Sequence, residues 1–306
     1  ALLSLLQDAT FEDQALNAML EALANGERLP MPDLSEPQED PGPEMDRAEE
    51  LREKWGVERG QVWEIGKHRL MCGDCTSAPW ANVDFIFTSP PYNVGKDYGT
   101  ADDNLPEDEY WAVMEGILTE CFRILADGRA LFWNVGVSPK TQPYKHGLML
   151  AQVGFTHWRQ IIWRKIGAAI PIHQHFVNDA RARRWMPNYQ HEIIFVVSKG
   201  DLDPGGPVTP IDAIQHDVWD LGQFTAANNA GKHAAPYPVK LVAQPLAVMT
   251  GDGEIVFDPF LGSGTTMVAA EQLGRICYGM EIEPKYVAVT LERMSGMGLE
   301  PKLVTG

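Results

Sequence analysis

The chain has 306 residues, of which 44% are hydrophobic and 22% charged, and a formal net charge of −17. That is enough for one large α/β domain with an appendage. No apolar run reaches the roughly 20 residues that span a bilayer and no basic-then-apolar leader opens the chain, so the expectation is a cytoplasmic protein with no membrane partner.

An acidic protein does not invite a polyanion, but the charge is unevenly placed. The balance is −10 over residues 1–60, −7 over 61–139, +7 over 140–199 and −7 over 200–306. One basic island in an acidic chain is a candidate footprint for a phosphate backbone, with an ordinary solvated face as the alternative. The four cysteines, Cys72, Cys75, Cys121 and Cys277, are too sparse for a disulfide framework and read as reduced thiols. Cys72-x-x-Cys75 has zinc-like spacing but no second Cys/His pair at a suitable distance, so no metal is expected.

In chain order, apolar residues at Leu2, Leu3, Leu5, Leu6, Leu16, Met19, Leu20 and Leu23 predict helix over residues 1–28. The next segment holds Pro30, Pro32, Pro37, Pro41 and Pro43 among acids and has little to bury, which predicts an extended, solvated linker. With a short charged helix over about Asp46–Trp55, residues 1–60 read as an acidic helical arm with a Pro-rich linker. A second domain is expected over residues 61–306.

From Gln61, β-like runs alternate with helices. Strands are predicted at His68–Cys72 and Val83–Thr88, then a helix at Glu109–Leu125 with one apolar face. Strands follow at Ala130–Val135, His157–Arg164 and Glu192–Ser198, the last two separated by the basic island. Pro238–Val248 reads as a helix that Pro245 should kink or shorten. Strand Glu254–Phe257, helix Thr265–Leu273, strand Ile276–Met280 and helix Pro284–Met294 complete the pattern. Strand, tight turn, helix, strand is the order of a mostly parallel sheet covered on both faces. Ligands in such sheets collect at the carboxyl ends of the strands. Asp74, Ser89 and Asp258 are the most polar strand ends.

Asp258-Pro259-Phe260-Leu261-Gly262-Ser263-Gly264-Thr265-Thr266 follows a strand and opens a helix. Gly262 and Gly264 let backbone pass close to a ligand. A P-loop needs lysine after its glycines, but Thr265 stands there. A dinucleotide turn needs a third glycine, but position 267 is Met. A cofactor with a positive sulfonium and an amino-acid tail fits better. Gly262–Gly264 would meet the amino-acid end, Asp258 would lie near the ammonium, and Glu281 would accept the ribose hydroxyls.

Ser89-Pro90-Pro91-Tyr92 also follows a strand, and its two prolines remove backbone donors. An exocyclic amino group is a poor nucleophile because its lone pair is delocalised into the ring. Two acceptors, Ser89 and the Pro90 carbonyl, would bind its N–H bonds and free the lone pair for attack on a methyl group. Tyr92 would stack on a base flipped out of the duplex. Taken alone, the four residues are equally a rigid proline turn.

Thr88–Tyr92 with Asp258–Thr266 far downstream resembles the amino-methylating DNA methyltransferases, in the permuted order of their beta group. His68–Asp74 is similar to the segment whose Asp74 approaches the cofactor adenine, and Gly279-Met280-Glu281 to the ribose-binding strand end. His191–Phe195 resembles the hairpin strand of the catalytic half, and His233–Leu241 the helix before the glycine turn. The resemblance covers about residues 61–296. It implies a Rossmann-like methyltransferase fold with an antiparallel hairpin strand and helices on both faces. It also implies S-adenosylmethionine as cofactor, bound by Asp74, Asp258, Phe260, Gly262, Ser263, Gly264, Thr265 and Glu281, and Ser89, Pro90, Pro91 and Tyr92 as the catalytic loop. Double-stranded DNA is the implied partner.

The usual recognition segment is short here, so DNA contact is assigned to a basic insertion at about 166–190 and its edge: Lys165, His173, His175, Arg181, Arg183, Arg184 and Trp185. A homodimer and a cognate restriction nuclease or fused nuclease domain are further partners compatible with the resemblance. Residues 1–60 resemble the tail joining a ParB-like nuclease to a methylase in phage and mobile-element proteins, with a helical dimerisation or packing arm as the alternative. Serine at the first loop position favours cytosine N4 over adenine N6. Cytosine C5 chemistry needs a thiolate, usually in a Pro-Cys pair, and no cysteine here follows proline. The rival readings are an RNA or protein amino-methyltransferase and a non-catalytic DNA-binding or assembly subunit that keeps the fold.

Overall fold

The computed structural model describes residues 39–93, 95, 97–98, 101–102, 104–138, 140–166, 190–203, 216–222 and 237–305. The arm over residues 1–38 and the insertion over 167–189, with His173, His175, Arg181, Arg183, Arg184 and Trp185, lie outside the described residues. Asp40–Gly306 forms one compact unit. It therefore takes in about 20 residues that composition alone groups with the arm.

Those residues are held by burial. Helix α1 (Ala48–Trp55) buries Ala48 and Leu51 and ends at Gly56 in the left-handed region. A ten-stranded sheet follows. Its strands are β1 (Val62–Ile65), β2 (His68–Cys72), β3 (Val83–Thr88), β6 (Leu125–Gly136), β7 (Thr156–Ile166), β8 (His191–Ser198), β9 (Val218–Gly222), β10 (Ile255–Asp258), β11 (Ile276–Glu281) and β12 (Pro301–Thr305). A separate two-stranded pair consists of β4 (Asp97–Tyr98) and β5 (Ala101–Asp102). The helices after α1 are α2 (Glu107–Ile124), α3 (Pro143–Val153), α4 (Val239–Met249), α5 (Thr265–Gln272) and α6 (Pro284–Gly296).

The strand order is β12-β1-β2-β11-β10-β3-β6-β8-β7-β9. From β2 to β6 every pairing is parallel. The hairpin strand β8 runs antiparallel to both β6 and β7. This is the mostly parallel, two-faced sheet expected from the sequence. Period-two alternation feeds two cores. Phe85, Phe87 and Phe132 join one with α1, α4, α5 and α6, while Ile86, Leu131 and Trp133 join the other with α2 and α3.

Two expectations change. Helix α4 continues through Pro245 to Met249. A proline inside a helix costs about 3 kcal/mol. Here Leu241, Val242, Ala243 and Leu246 on the same helix are all buried against the sheet, which offsets that cost. Strands β1, β9 and β12 and helix α3 were not anticipated from sequence. Among the described residues, no helix is long and apolar enough to cross a membrane.

The strand order reverses between β10 and β3. β3 leads outward to β6, and β10 leads the other way to β11. Crevices for ligands form at such switch points, beyond the carboxyl ends of the strands. The loops after β3 and β10 are the two glycine- and proline-rich segments singled out in the sequence.

Candidate active site

The switch point is tied together by Asp258, the last residue of β10. It is fully buried, and its two oxygens accept four hydrogen bonds. Thr88 Oγ1 (2.7 Å) and the Phe260 amide (3.0 Å) donate to Oδ1. Thr266 Oγ1 (2.6 Å) and the Tyr237 hydroxyl (3.1 Å) donate to Oδ2. A carboxylate offers about four acceptor positions, so none is left for a cofactor ammonium. Asp258 instead locks β10 to β3 and shapes the start of the glycine turn. Burial raises its pKa, and the hydrogen bonds from Thr266 and Thr88 oppose that rise.

The glycine turn crosses into α5 with Gly262 at φ +56° and Gly264 at φ +86°. Gly264 packs directly on α6, where an added Cβ would lie 2.8 Å from Thr290 Cγ2. The Ser263 carbonyl accepts from Arg293 Nη1 at 2.9 Å. Thr265, the first residue of α5, lies 3.4 Å from the same nitrogen. Phe260 meets Trp133 edge-on.

Glu281 ends β11 beside this turn. Its Oε2 accepts from the Gly262 amide (2.9 Å) and its Oε1 from the Glu283 amide (2.8 Å). Each oxygen keeps a lone pair for a further donor. Burial pushes the Glu281 carboxyl up to about 7 against the two backbone bonds that favour its charge. Asp74 follows β2, is exposed, and caps the next turn through the Thr76 amide at 2.9 Å. The Gly73 amide donates to the Glu281 carbonyl, which ties the ends of β2 and β11 together.

On the other side of the switch point, Ser89, Pro91 and Tyr92 are half-buried and Pro90 is buried. The Pro91 carbonyl accepts from the Tyr110 hydroxyl at 2.9 Å. No donor reaches the Pro90 carbonyl among the described residues, which leaves it available as an acceptor. Behind the loop, Trp133 Nε1 donates to His146 Nδ1 at 3.2 Å, and burial pulls the His146 pKa down to about 4. This imidazole is therefore neutral near pH 7, and its remaining proton sits on Nε2, 3.5 Å from the Tyr110 hydroxyl. The Tyr92 ring lies against Gly136, where an added Cβ would be 2.9 Å from Cε2.

Two side chains that sequence reasoning did not place, Asn134 and Glu192, complete this half. Asn134 on β6 donates from Nδ2 to Glu192 Oε2 (2.6 Å), Ser89 Oγ (3.2 Å) and the Tyr92 hydroxyl (3.3 Å). Ser89 Oγ and the Tyr92 hydroxyl are 2.8 Å apart, and Tyr92 donates to Glu192 Oε2 at 3.2 Å. Lys165, grouped with the DNA contacts in the sequence, is paired to Glu192 Oε1, mostly buried, and lies over the Trp163 ring. Polar Asn134 in an otherwise apolar strand and Glu192 at the start of another were the available signals. Arg293, which supports the glycine turn, gave none.

Arg293 is paired with Asp40, and only 1% of the Arg293 side chain is exposed. Burial alone would raise the Asp40 pKa, but the Arg293 guanidinium outweighs it and holds the carboxyl below its usual range. The Asp40→Asn substitution would leave the buried guanidinium without its counter-charge. The expected cost is about 2–4 kcal/mol, read as a lower Tm by on the order of 5–10 °C in thermal unfolding.

A family model for DNA methylases matches residues 83–292, which span both loops. The chain belongs to the DNA methylase family. Its members are S-adenosylmethionine-dependent DNA amino-methyltransferases. Among individual relatives of this methylase, it is 27% identical over 245 residues to the type II methyltransferase M.HpaI of Haemophilus parainfluenzae, with 74% of each chain covered. Against M.Cfr9I of Citrobacter freundii it is 25% identical over 293 residues, covering 78% of this chain and 92% of the other. Its fold is shared with the cytosine-N4-specific PvuII DNA methyltransferase, at TM-score 0.60, 19% identity and coverage of 79% and 94%.

The residues present fit S-adenosylmethionine. Among the described residues, Arg293 is the one basic side chain hydrogen-bonded to the turn, and it is also paired with Asp40. Glu281 offers two acceptors to vicinal hydroxyls, and beside it Gly262 sits at φ +56° with only the Phe260 carbonyl, at 3.9 Å, near an added Cβ, so the backbone there is open to close approach. That combination favours a cationic nucleoside over a phosphate.

Proposed function

We propose that the protein transfers a methyl group from S-adenosylmethionine to cytosine N4 in double-stranded DNA, with the target base flipped into the crevice between the β3 and β10 loops. The observation that carries this reading is the pair of acceptors at one strand end. Ser89 is half-buried and the Pro90 carbonyl is unengaged among the described residues, in the loop that follows β3, whose last residue Thr88 is hydrogen-bonded to Asp258 at the head of the glycine turn.

When bound, the cofactor supplies an electrophilic methyl group on a positively charged sulfur. Glu281 holds the ribose hydroxyls, and Asp74 approaches the adenine. The backbone of Gly262–Gly264 meets the amino-acid end, and Asp258 shapes that backbone from behind. Ser89 and the Pro90 carbonyl accept the two N–H bonds of the amino group, so its lone pair is presented to the methyl carbon. Tyr92 stacks on the base. Catalysis rests on positioning and preorganised acceptors, with no covalent enzyme intermediate.

Serine rather than aspartate or asparagine at the first loop position favours cytosine, and adenine N6 is the second reading. The insertion at 166–190 supplies the DNA contacts. A type II restriction nuclease is the natural partner of such an enzyme, and a bacterial or phage cytoplasm its setting. The deciding experiment incubates the protein with unmethylated genomic DNA and labelled cofactor, digests the DNA to nucleosides, and identifies the product by mass spectrometry. N4-methylcytosine is expected. N6-methyladenine would transfer the reading to the other base, and unlabelled DNA would overturn it.

Glu281 gives this reading a pH signature. A ribose hydroxyl donates best to an ionised carboxylate, and the carboxyl titrates at about 7. Affinity for S-adenosylhomocysteine should rise about tenfold from pH 6 to pH 8 and then level off, as read by calorimetry. Glu281→Gln should remove the slope. Stability of the ligand-free protein runs the opposite way. The folded carboxyl holds its proton above the unfolded value of 4.5, so its contribution declines as pH rises from about 4.5 towards 7.

A further inference from the structure

The hydroxyl pair at the catalytic loop does not end at Tyr92. Glu192 is the second residue of β8, which runs antiparallel to β6 and pairs it with Gly136, so its carboxylate arrives at the same sheet edge as Ser89 although 103 positions separate the two. Lys165 takes Oε1, which leaves Oε2 for Asn134 and Tyr92.

This arrangement fixes the direction of every proton in the chain. The Asn134 amide must present Nδ2 to Glu192, because its oxygen there would set two acceptors 2.6 Å apart. Glu192, the carboxylate partner of Lys165, only accepts. The Tyr92 proton therefore points to Glu192. In the 2.8 Å contact between Ser89 and Tyr92, serine must then be the donor. Ser89 Oγ receives one N–H from Asn134 and keeps one lone pair for the crevice.

We propose that Glu192, held by Lys165 and Asn134, is a positioning residue that orients the Ser89 and Tyr92 hydroxyls and receives the proton released by methylation of the amino group. This rests on the reading of Ser89 as the contact to that group. The nitrogen lone pair forms the N–C bond as the C–S bond breaks, and the C–S electron pair stays on sulfur as a neutral thioether. The nitrogen is left positively charged with one proton too many. That proton passes to Ser89 Oγ as the serine proton moves to Tyr92 and the tyrosine proton to Oε2 of Glu192. The neutral acid then releases it to solvent. Without Glu192 the Ser89 hydroxyl is free to turn its proton towards the incoming amino group, and the acceptor is lost.

A purely structural Lys165–Glu192 pair would stitch β7 to β8 and do no more, so the test separates the two roles. The protein is labelled with 3-fluorotyrosine, and the Tyr92 resonance is assigned by its loss in Tyr92→Phe. In cofactor-free Glu192→Gln that resonance should shift. Single-turnover methylation of genomic DNA should slow by about 10²-fold, while the S-adenosylhomocysteine Kd stays within about twofold. Tyr92→Phe keeps the ring against Gly136 and should slow the reaction similarly. The double variant should be no slower than the slower single one, because both break the same chain.

A rate for Glu192→Gln within about threefold of the parent, or losses that multiply in the double variant, overturns the proposal. If Glu192→Gln does not fold, Tyr92→Phe decides alone by the same criterion. An unmodified protein that methylates no DNA base would instead defeat the underlying functional reading. That result is seen before any variant is made, and the fluorine shift would still report on the Tyr92–Glu192 bond.

Discussion

Ser89→Ala should bind cofactor normally and lose about 10²–10³-fold in turnover, the scale on which a preorganised polar contact to the reacting group acts. The residue lies at the carboxyl end of β3, one position beyond Thr88, whose hydroxyl is anchored to Asp258. The loop geometry is therefore held without the Ser89 side chain. Pro90 and Pro91 fix the backbone, and Tyr110 holds the Pro91 carbonyl. Removing one half-buried hydroxyl takes away the acceptor facing the amino group and leaves Asn134 and Tyr92 with each other and Glu192 as partners. The expected signature is an unchanged S-adenosylhomocysteine Kd and Tm with a collapsed single-turnover rate. A Ser89→Ala rate within a few-fold of the parent would remove Ser89 from the chemistry.

Gly264→Val should fail one step earlier, at cofactor binding. Gly264 has φ +86°, a conformation that costs a β-branched residue about 1–2 kcal/mol or more. Its Cβ would also sit 2.8 Å from Thr290 Cγ2 and 3.0 Å from Thr290 Oγ1, both on a fully buried residue of α6. Overpacking of this kind adds about 1–3 kcal/mol. The turn relieves it only by moving, and the Gly262 amide that braces Glu281 moves with it. The expected result is a lower Tm and an S-adenosylhomocysteine affinity reduced by about 10²-fold, equivalent to about 2.7 kcal/mol. Gly253→Ala is the control. It has φ +75° but no atom within 4 Å of the added Cβ and lies before β10, so it bears the backbone cost without the collision. Normal cofactor affinity in Gly264→Val would mean that the turn does not cradle the cofactor.

Local sequence announced the strands that hold the site because each is an apolar run closed by a polar turn. β2 and β3 fall on their expected residues, and β10 and β11 within one. The elements that escaped lack that signature. Helix α3 contains Gly147, whose missing Cβ admits the Phe195 ring at 2.9 Å. A glycine in mid-helix reads as a breaker until the strand packed against it is known. Strand β12, at one edge of the sheet, exposes Leu303 and Val304 in succession and shows no alternation to detect.

The site divides along the same line. Ser89-Pro90-Pro91-Tyr92 and Asp258–Thr266 were legible because a proline pair and a glycine turn carry their backbone chemistry in the residues themselves. Glu281 was legible as the end of the next strand. By itself the sequence therefore determined the two-faced parallel sheet, the two loops that meet at its switch point and the family of methyl-transfer enzymes they resemble. Only the tertiary structure decided that Asp258 is spent on Thr88, Thr266, Tyr237 and Phe260 rather than on a ligand. It alone turned Lys165 inward to Glu192 and brought Asn134, Glu192 and Arg293 to the loops they support. The physical reason is that a hydrogen bond spends directed lone pairs and protons. Which of them are spent depends on strand order and register between residues far apart in the chain, and no local pattern records that.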